Sequence, residues 1–131
     1  MAKKVSTDIA SVVDVTARRN DSFYLKAELT NPDETIYNII GSDSATFSAS
    51  FEIYDSSDVL VLGFLSGSDS NSSTINSSIT VDGAKAELVI DVVGTNMTIR
   101  SGTYKYKFYI KHQTDGITNT IMVGKFKVTD I

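Results

Sequence analysis

Along most of this 131-residue chain, apolar and polar residues alternate one by one. That is the period of a strand with one buried face. Over Ser22–Thr30, Phe23, Leu25, Ala27 and Leu29 fall on one side, with Tyr24, Lys26 and Glu28 on the other. Thr46–Tyr54 repeats the pattern, with Phe47, Ala49, Phe51 and Ile53 against Ser48, Ser50 and Glu52. Ala86–Val93 puts Ala86, Leu88, Ile90 and Val92 on one face, and Thr103–Lys111 sets Tyr104, Tyr106, Phe108 and Ile110 against Lys105, Lys107, Tyr109 and Lys111. Further strands are predicted over Ile9–Ala17, Ile36–Ile40, Val59–Leu65, Ser78–Val81 and Thr120–Thr129. No dozen-residue segment carries the i, i+3, i+4, i+7 spacing of a helix. Gly94–Ser101 has room for one helical turn, plugged by Met97.

Turn chemistry separates these runs: Asn31-Pro32-Asp33-Glu34, Gly41-Ser42-Asp43-Ser44, Asp55-Ser56-Ser57-Asp58, Asp82-Gly83 and Asp115-Gly116. The near-low-complexity tract 66–78, mostly Ser, Asn and Asp, reads as a surface loop. Short strands with turns every eight to twelve residues predict an all-β immunoglobulin-like sandwich of about seven to nine antiparallel strands. One domain is expected over 9–131, preceded by a flexible segment, 1–8, that has few core-type residues. The expected core is Phe23, Leu25, Leu29, Phe47, Phe51, Ile53, Leu88, Ile90, Tyr104, Tyr106, Phe108 and Phe126. Gly102-Thr103-Tyr104 has the form of a tyrosine corner, so Tyr104 is expected to bond back across the sandwich.

Composition removes several chemistries. There is no Cys, one His and no Trp, and no phosphate-binding glycine run occurs. The net charge of −4 argues against nucleic acid as a partner, and the longest unbroken aliphatic run, Val59–Leu62, is far short of a bilayer span. No secretory signal is read at the N-terminus. His112, with Asp115 and Thr114 nearby, has no supporting nucleophile motif and reads as an exposed hairpin residue. Asp55, Asp58, Asp69 and Asn71 lack the spacing of a Ca²⁺ loop and read as solvated turns. The Asn-x-Ser/Thr triplets at Asn20, Asn71, Asn76 and Asn96 are expected by chance in so hydroxyl-rich a chain. No catalytic residue, cofactor or metal is expected.

The unusual feature is a stripe of lysines. Lys105, Lys107 and Lys111 on one predicted strand, with Lys125 and Lys127 on the next, share the outward face of a hairpin in a net-acidic protein. Adjacent like charges cost stability unless offset. Glu52 on a neighbouring strand, or avoidance of edge pairing, would account for the stripe structurally. A docking face for an acidic protein surface would account for it functionally.

Two stretches carry a resemblance. Asp14-Val15-Thr16-Ala17-Arg18-Arg19-Asn20-Asp21-Ser22-Phe23-Tyr24-Leu25 resembles the opening of small immunoglobulin-like domains in tailed-phage virion proteins, among them the N-terminal domain of upper baseplate proteins. The stretch Met97-Thr98-Ile99-Arg100-Ser101-Gly102-Thr103-Tyr104-Lys105-Tyr106, the Asp115-Gly116 turn and Gly124-Lys125-Phe126-Lys127-Val128-Thr129 are similar to the ending of such domains. The resemblance implies a non-enzymatic virion structural protein, assembled in the host cytoplasm, whose partners are the major capsid protein or other virion proteins. The Ser-rich insertion, with no arm expected after the last strand, points to a capsid decoration protein, and a homo-oligomer such as a trimer is expected. The alternative roles are a tail or baseplate adaptor, and a host-surface adhesin or carbohydrate-binding module using Tyr24, Tyr37 or Tyr109. Neither nucleic acid nor membrane is expected as a partner.

Overall fold

The computed structural model describes residues 2–6, 11–30, 47–68, 70, 72–82, 87–112 and 118–130. The strands are β1 (Ala2–Ser6), β2 (Ser11–Val12), β3 (Val15–Arg18), β4 (Phe23–Thr30), β5 (Phe47–Tyr54), β6 (Leu60–Leu65), β7 (Thr74–Ile75), β8 (Ile79–Asp82), β9 (Glu87–Val92), β10 (Gly102–His112) and β11 (Thr118–Thr129). A single 3₁₀ turn, Gly94–Asn96, is the helical element among the described residues, and Met97 behind it is fully buried. The predicted run at Ile36–Ile40 lies outside the described residues.

Two sheets form a sandwich. One has the order β1-β4-β9-β8; the other runs β2-β11-β10-β5-β6-β7, with β3 also on β11. The orders β8-β9-β4 and β11-β10-β5-β6 are the D-E-B and G-F-C-C′ orders of an immunoglobulin-like domain. The fold is therefore an all-β immunoglobulin-like sandwich. It is not antiparallel throughout: β1 on β4, β2 and β3 on β11, and β7 on β6 pair in parallel. Each parallel strand is short and flanks a longer antiparallel ladder, where a crossing chain can add a few bonds without a hairpin. Ala2–Ser6, within the segment 1–8 expected to be flexible, form β1 and pair with β4. Their backbones complete the edge of β4.

The core is built where alternation predicts it. Phe23, Leu25, Phe51, Ile53, Leu88, Ile90, Tyr106, Phe108 and Phe126 are buried. The side chains of Leu29 and Phe47 lie outside the described residues. Tyr104 is only partly buried against the cluster, because it stands at its rim. Rings from both sheets interlock: Phe23 of β4 meets Phe126 edge-on at 5.4 Å, while within the larger sheet Phe51 stacks on Tyr106 at 4.7 Å and meets Phe108 and Phe126 edge-on at 5.3 and 5.8 Å.

Two departures from strict alternation have local causes. The β10–β11 register shifts between Phe108 and Tyr109, with Met122 opposite Phe108 and Thr120 opposite Tyr109. The residue left over, Ile121, is buried together with Met122, as a bulge allows. The polar tract 66–78 is also less loop-like than predicted, for Thr74–Ile75 fold back as β7 and Ile75 packs on the core. Ser78 is buried, its hydroxyl donating to the Ile75 carbonyl at 2.8 Å and its amide to Leu65 at 2.8 Å. Satisfied hydroxyls let a Ser-rich segment enter a sandwich at low cost.

Candidate docking face

The lysines sit where the β10 and β11 alternation turns away from the core. Lys105, Lys107, Lys111, Lys125 and Lys127 are all exposed. Lys105 stands directly opposite Lys125, while Lys107 faces Val123, Lys111 faces Thr118 and Lys127 faces Thr103. One outer face of the larger sheet thus carries all five.

Glu52 does not neutralise them in the way its register suggests. It stands opposite Lys107 on β5, yet its Oε1 accepts the Tyr54 hydroxyl at 2.5 Å and its Oε2 the Tyr109 hydroxyl at 3.1 Å. Burial, then the bond to Glu52, raises the Tyr54 phenol well above its ordinary range. Burial raises Tyr109 as well. The Lys107 ammonium lies instead over the Tyr109 ring, 5.2 Å from its centre, a cation–π contact. Lys105 pairs with Asp58 from the β5–β6 turn. Among the described residues the other ion pairs are Arg18–Asp21, Arg19–Asp130 and Lys26–Glu87, so Lys107, Lys111, Lys125 and Lys127 join none of them. The pattern along the sequence missed Tyr54 and Asp58 as members of this face. Tyr54 was in phase with Glu52 two residues earlier; Asp58 carried no periodic signal.

Tyr104 donates its hydroxyl to the Arg100 carbonyl, four residues upstream, at 2.7 Å. His112 is the last residue of β10, opposite Phe47, and its side chain lies outside the described residues, as do Asp69, Asn71, Thr114 and Asp115. Asp55 uses Oδ1 to accept the amides of Ser57 and Val59 at 2.8 and 3.0 Å, which closes the β5–β6 turn. Of the tyrosines considered for sugar binding, Tyr24 is on β4 and Tyr109 on β10, in opposite sheets, so they form no common platform. Tyr37 lies outside the described residues.

The two stretches that carry the phage resemblance come together in space. Residues 15–18 of β3 pair in parallel with 126–129 of β11. Arg19 donates its amide to Thr129 at 2.7 Å and Asn20 donates to Met97 at 2.8 Å. Asn20 adopts φ 63°, a left-handed conformation Asn tolerates well. A Cβ on Gly94 would lie 2.6 Å from the Asn20 carbonyl oxygen, and one on Gly124 would lie 2.3 Å from that of Val13. These residues are joints of the fold. Beside them, a groove of about 560 Å³ runs between β3 and the start of β4, lined in part by Asp14, Arg18, Asp21 and Tyr24. Its carboxylates are engaged: Asp14 accepts the Lys125 amide at 3.1 Å and Asp21 pairs with Arg18 at 3.9 Å.

No family model matches the chain, and no curated protein matches it. Among solved structures, it is similar to CopC from Methylosinus trichosporium OB3b, at 22% identity over 63% of this chain, with a TM-score of 0.35. The match spans 62% of that protein. It is also similar to the natural killer cell receptor NKp44, at 14% identity over 92% of this chain and 99% of that one, with a TM-score of 0.45.

Proposed function

We propose that this protein is a non-enzymatic bacteriophage virion structural protein, a decoration protein held on the capsid surface through the lysine face of β10 and β11. The observation that carries the docking face is charge placement. Five of the chain's twelve cationic residues share one exposed face, while its sixteen carboxylates leave the whole chain net acidic. Such a face steers and orients an acidic protein surface. The resemblance of residues 14–25 and 97–129 to tailed-phage immunoglobulin-like domains supplies the virion context.

The test is retention on particles. Lys107→Glu with Lys125→Glu reverses two charges at exposed positions. A new carboxylate opposite Glu52 costs at most about 1 kcal/mol, so folding should survive. Unchanged far-UV circular dichroism with loss of the protein from purified virions is the expected outcome. Wild-type release should rise with salt, because charges are screened over about 10 Å at 0.1 M. A double variant that stays on the particle removes the lysine face as the contact. Absence of the wild-type protein from virions overturns the virion reading itself.

A further inference from the structure

The outer edge of β3 is open. Val13 donates its amide to the Val123 carbonyl at 2.9 Å, and Arg19 donates to the Thr129 carbonyl at 2.7 Å. Alternate residues of a strand bond to the same neighbour, so Val15 and Ala17 also turn their backbone groups toward β11. Thr16 and Arg18 turn theirs the other way. The Arg18 carbonyl accepts the Asp21 amide at 3.2 Å. The N–H and C=O of Thr16 and the N–H of Arg18 have no backbone partner among the described residues. The groove of about 560 Å³ between β3 and β4 runs beside this edge. Val13 and Val15 pack on the core there, yet are only partly buried.

A strand edge with free backbone groups takes up another strand unless something blocks it. Here the charges select which strand fits. Asp14, Thr16 and Arg18 are all exposed, with one carboxylate and one guanidinium placed symmetrically about Thr16. Against a second copy in antiparallel register centred on Thr16, Asp14 of each copy meets Arg18 of the other, and Val15 meets Ala17. The two Thr16 residues exchange both backbone bonds as a narrow pair. Facing threonines and opposite charges are stabilising cross-strand pairs. Arg18 is available for this, because its pair with Asp21 is 3.9 Å long between side chains 57% and 60% exposed, and so is weak. Asp14 uses Oδ1 for the Lys125 amide, which leaves Oδ2 for a second partner. The other described edges lack this match: β1 carries only lysines, β8 only Asp82, and β2 and β7 are two residues long.

We infer that the β3 edge binds a second copy of this chain, β3 against β3, joining the two larger sheets across a two-fold axis. The contact is isologous, since each copy offers the same edge and receives the same edge. It goes beyond the reading of the lysine face and does not depend on it. It does have a consequence for that face. In an antiparallel pair the two outer faces lie on the same side of the joined sheet, so the lysines of both copies share one surface. The two β11 strands then stand three strand spacings apart, about 14 Å.

The experiment is sedimentation velocity on the full chain at rising concentration, where a dimer is expected. A monomer at the highest soluble concentration overturns the inference. Thr16→Pro removes an amide that the single copy leaves unpaired, so the urea midpoint should hold while the dimer is lost. A dimer that survives Thr16→Pro lies elsewhere on the surface, and the inference fails. Arg18→Asp and Asp14→Arg should each weaken dimerisation at least about tenfold, because like charges then face each other twice. Mixed together, the two variants should dimerise again, since each charge meets its opposite in the mixed pair. Two folded variants that stay monomeric when mixed overturn the register; should circular dichroism show Asp14→Arg unfolded, Thr16→Pro decides alone. No particle enters this assay, so its failure is separate from failure of the virion reading.

Discussion

Single residues hold the corner where β3, β10 and β11 meet. Tyr106 is buried and donates its hydroxyl to the Val13 carbonyl at 2.5 Å, tying the central strand to the β2–β3 edge. Tyr104 makes the shorter-range bond to Arg100. Tyr104→Phe should therefore cost about 0.5–1.5 kcal/mol in urea unfolding, and an unchanged midpoint would show that the hydroxyl contributes nothing. Gly124→Ala should cost more, about 1–3 kcal/mol, because the obstacle 2.3 Å from its Cβ is backbone rather than a movable side chain. Burial raises Tyr106, with the Asp14 charge adding to it, and burial also raises Tyr54 and Tyr109. A phenol raised in the folded state gives up its proton first in the unfolded chain. Stability from these three tyrosines is thus intact below about pH 10 and falls as pH rises beyond it. Denaturation midpoints across alkaline pH, read beside tyrosinate absorbance, should show that decline and no matching loss through neutral pH.

At the scale of elements, β10 is the organising strand. It pairs with β5 on one side and β11 on the other, sends Tyr106, Phe108 and Ile110 into the core, and sends three lysines outward. Its inner face meets Phe51, fully buried at the centre of the ring cluster. Phe51→Ala should cost about 3–5 kcal/mol, since neighbours from both sheets cannot all collapse into one cavity. A loss below about 1 kcal/mol by calorimetry would mean the cluster repacks freely. The bulge opposite Phe108 and Tyr109 adds one residue to β11 and so reverses its inside and outside phase midway along the strand.

For the whole molecule, the separation of charge matters more than its total. A net charge of −4 would repel an acidic partner from a uniform surface, yet the five lysines give one face the opposite sign. Rim charges act mainly on association rate. Under the proposed virion role, association of the wild-type protein with particles should therefore slow as salt is added, whereas the change in dissociation should be smaller. A salt-independent association rate, measured by surface plasmon resonance on immobilised virions, would indicate a contact elsewhere.

The alternation of Phe23, Leu25, Phe51, Ile53, Leu88, Ile90, Tyr106 and Phe108 was enough to identify the strands, their buried faces and a sandwich, because side chains in a strand alternate with a period of two whatever the partner strand. It also placed the five lysines on one outward face, since two hairpin strands share their phase. Tertiary structure alone decided the rest. The parallel pairings of β1, β2, β3 and β7, the bulge at Ile121 and the entry of Ser78 into the core depend on neighbours far away in sequence. The same holds for the lysine face in detail: Tyr109 reaches Glu52 across 57 positions, and Asp58 reaches Lys105 across 47. Periodicity reports which way a side chain points, but which group it meets is fixed only when strands from distant parts of the chain are brought together.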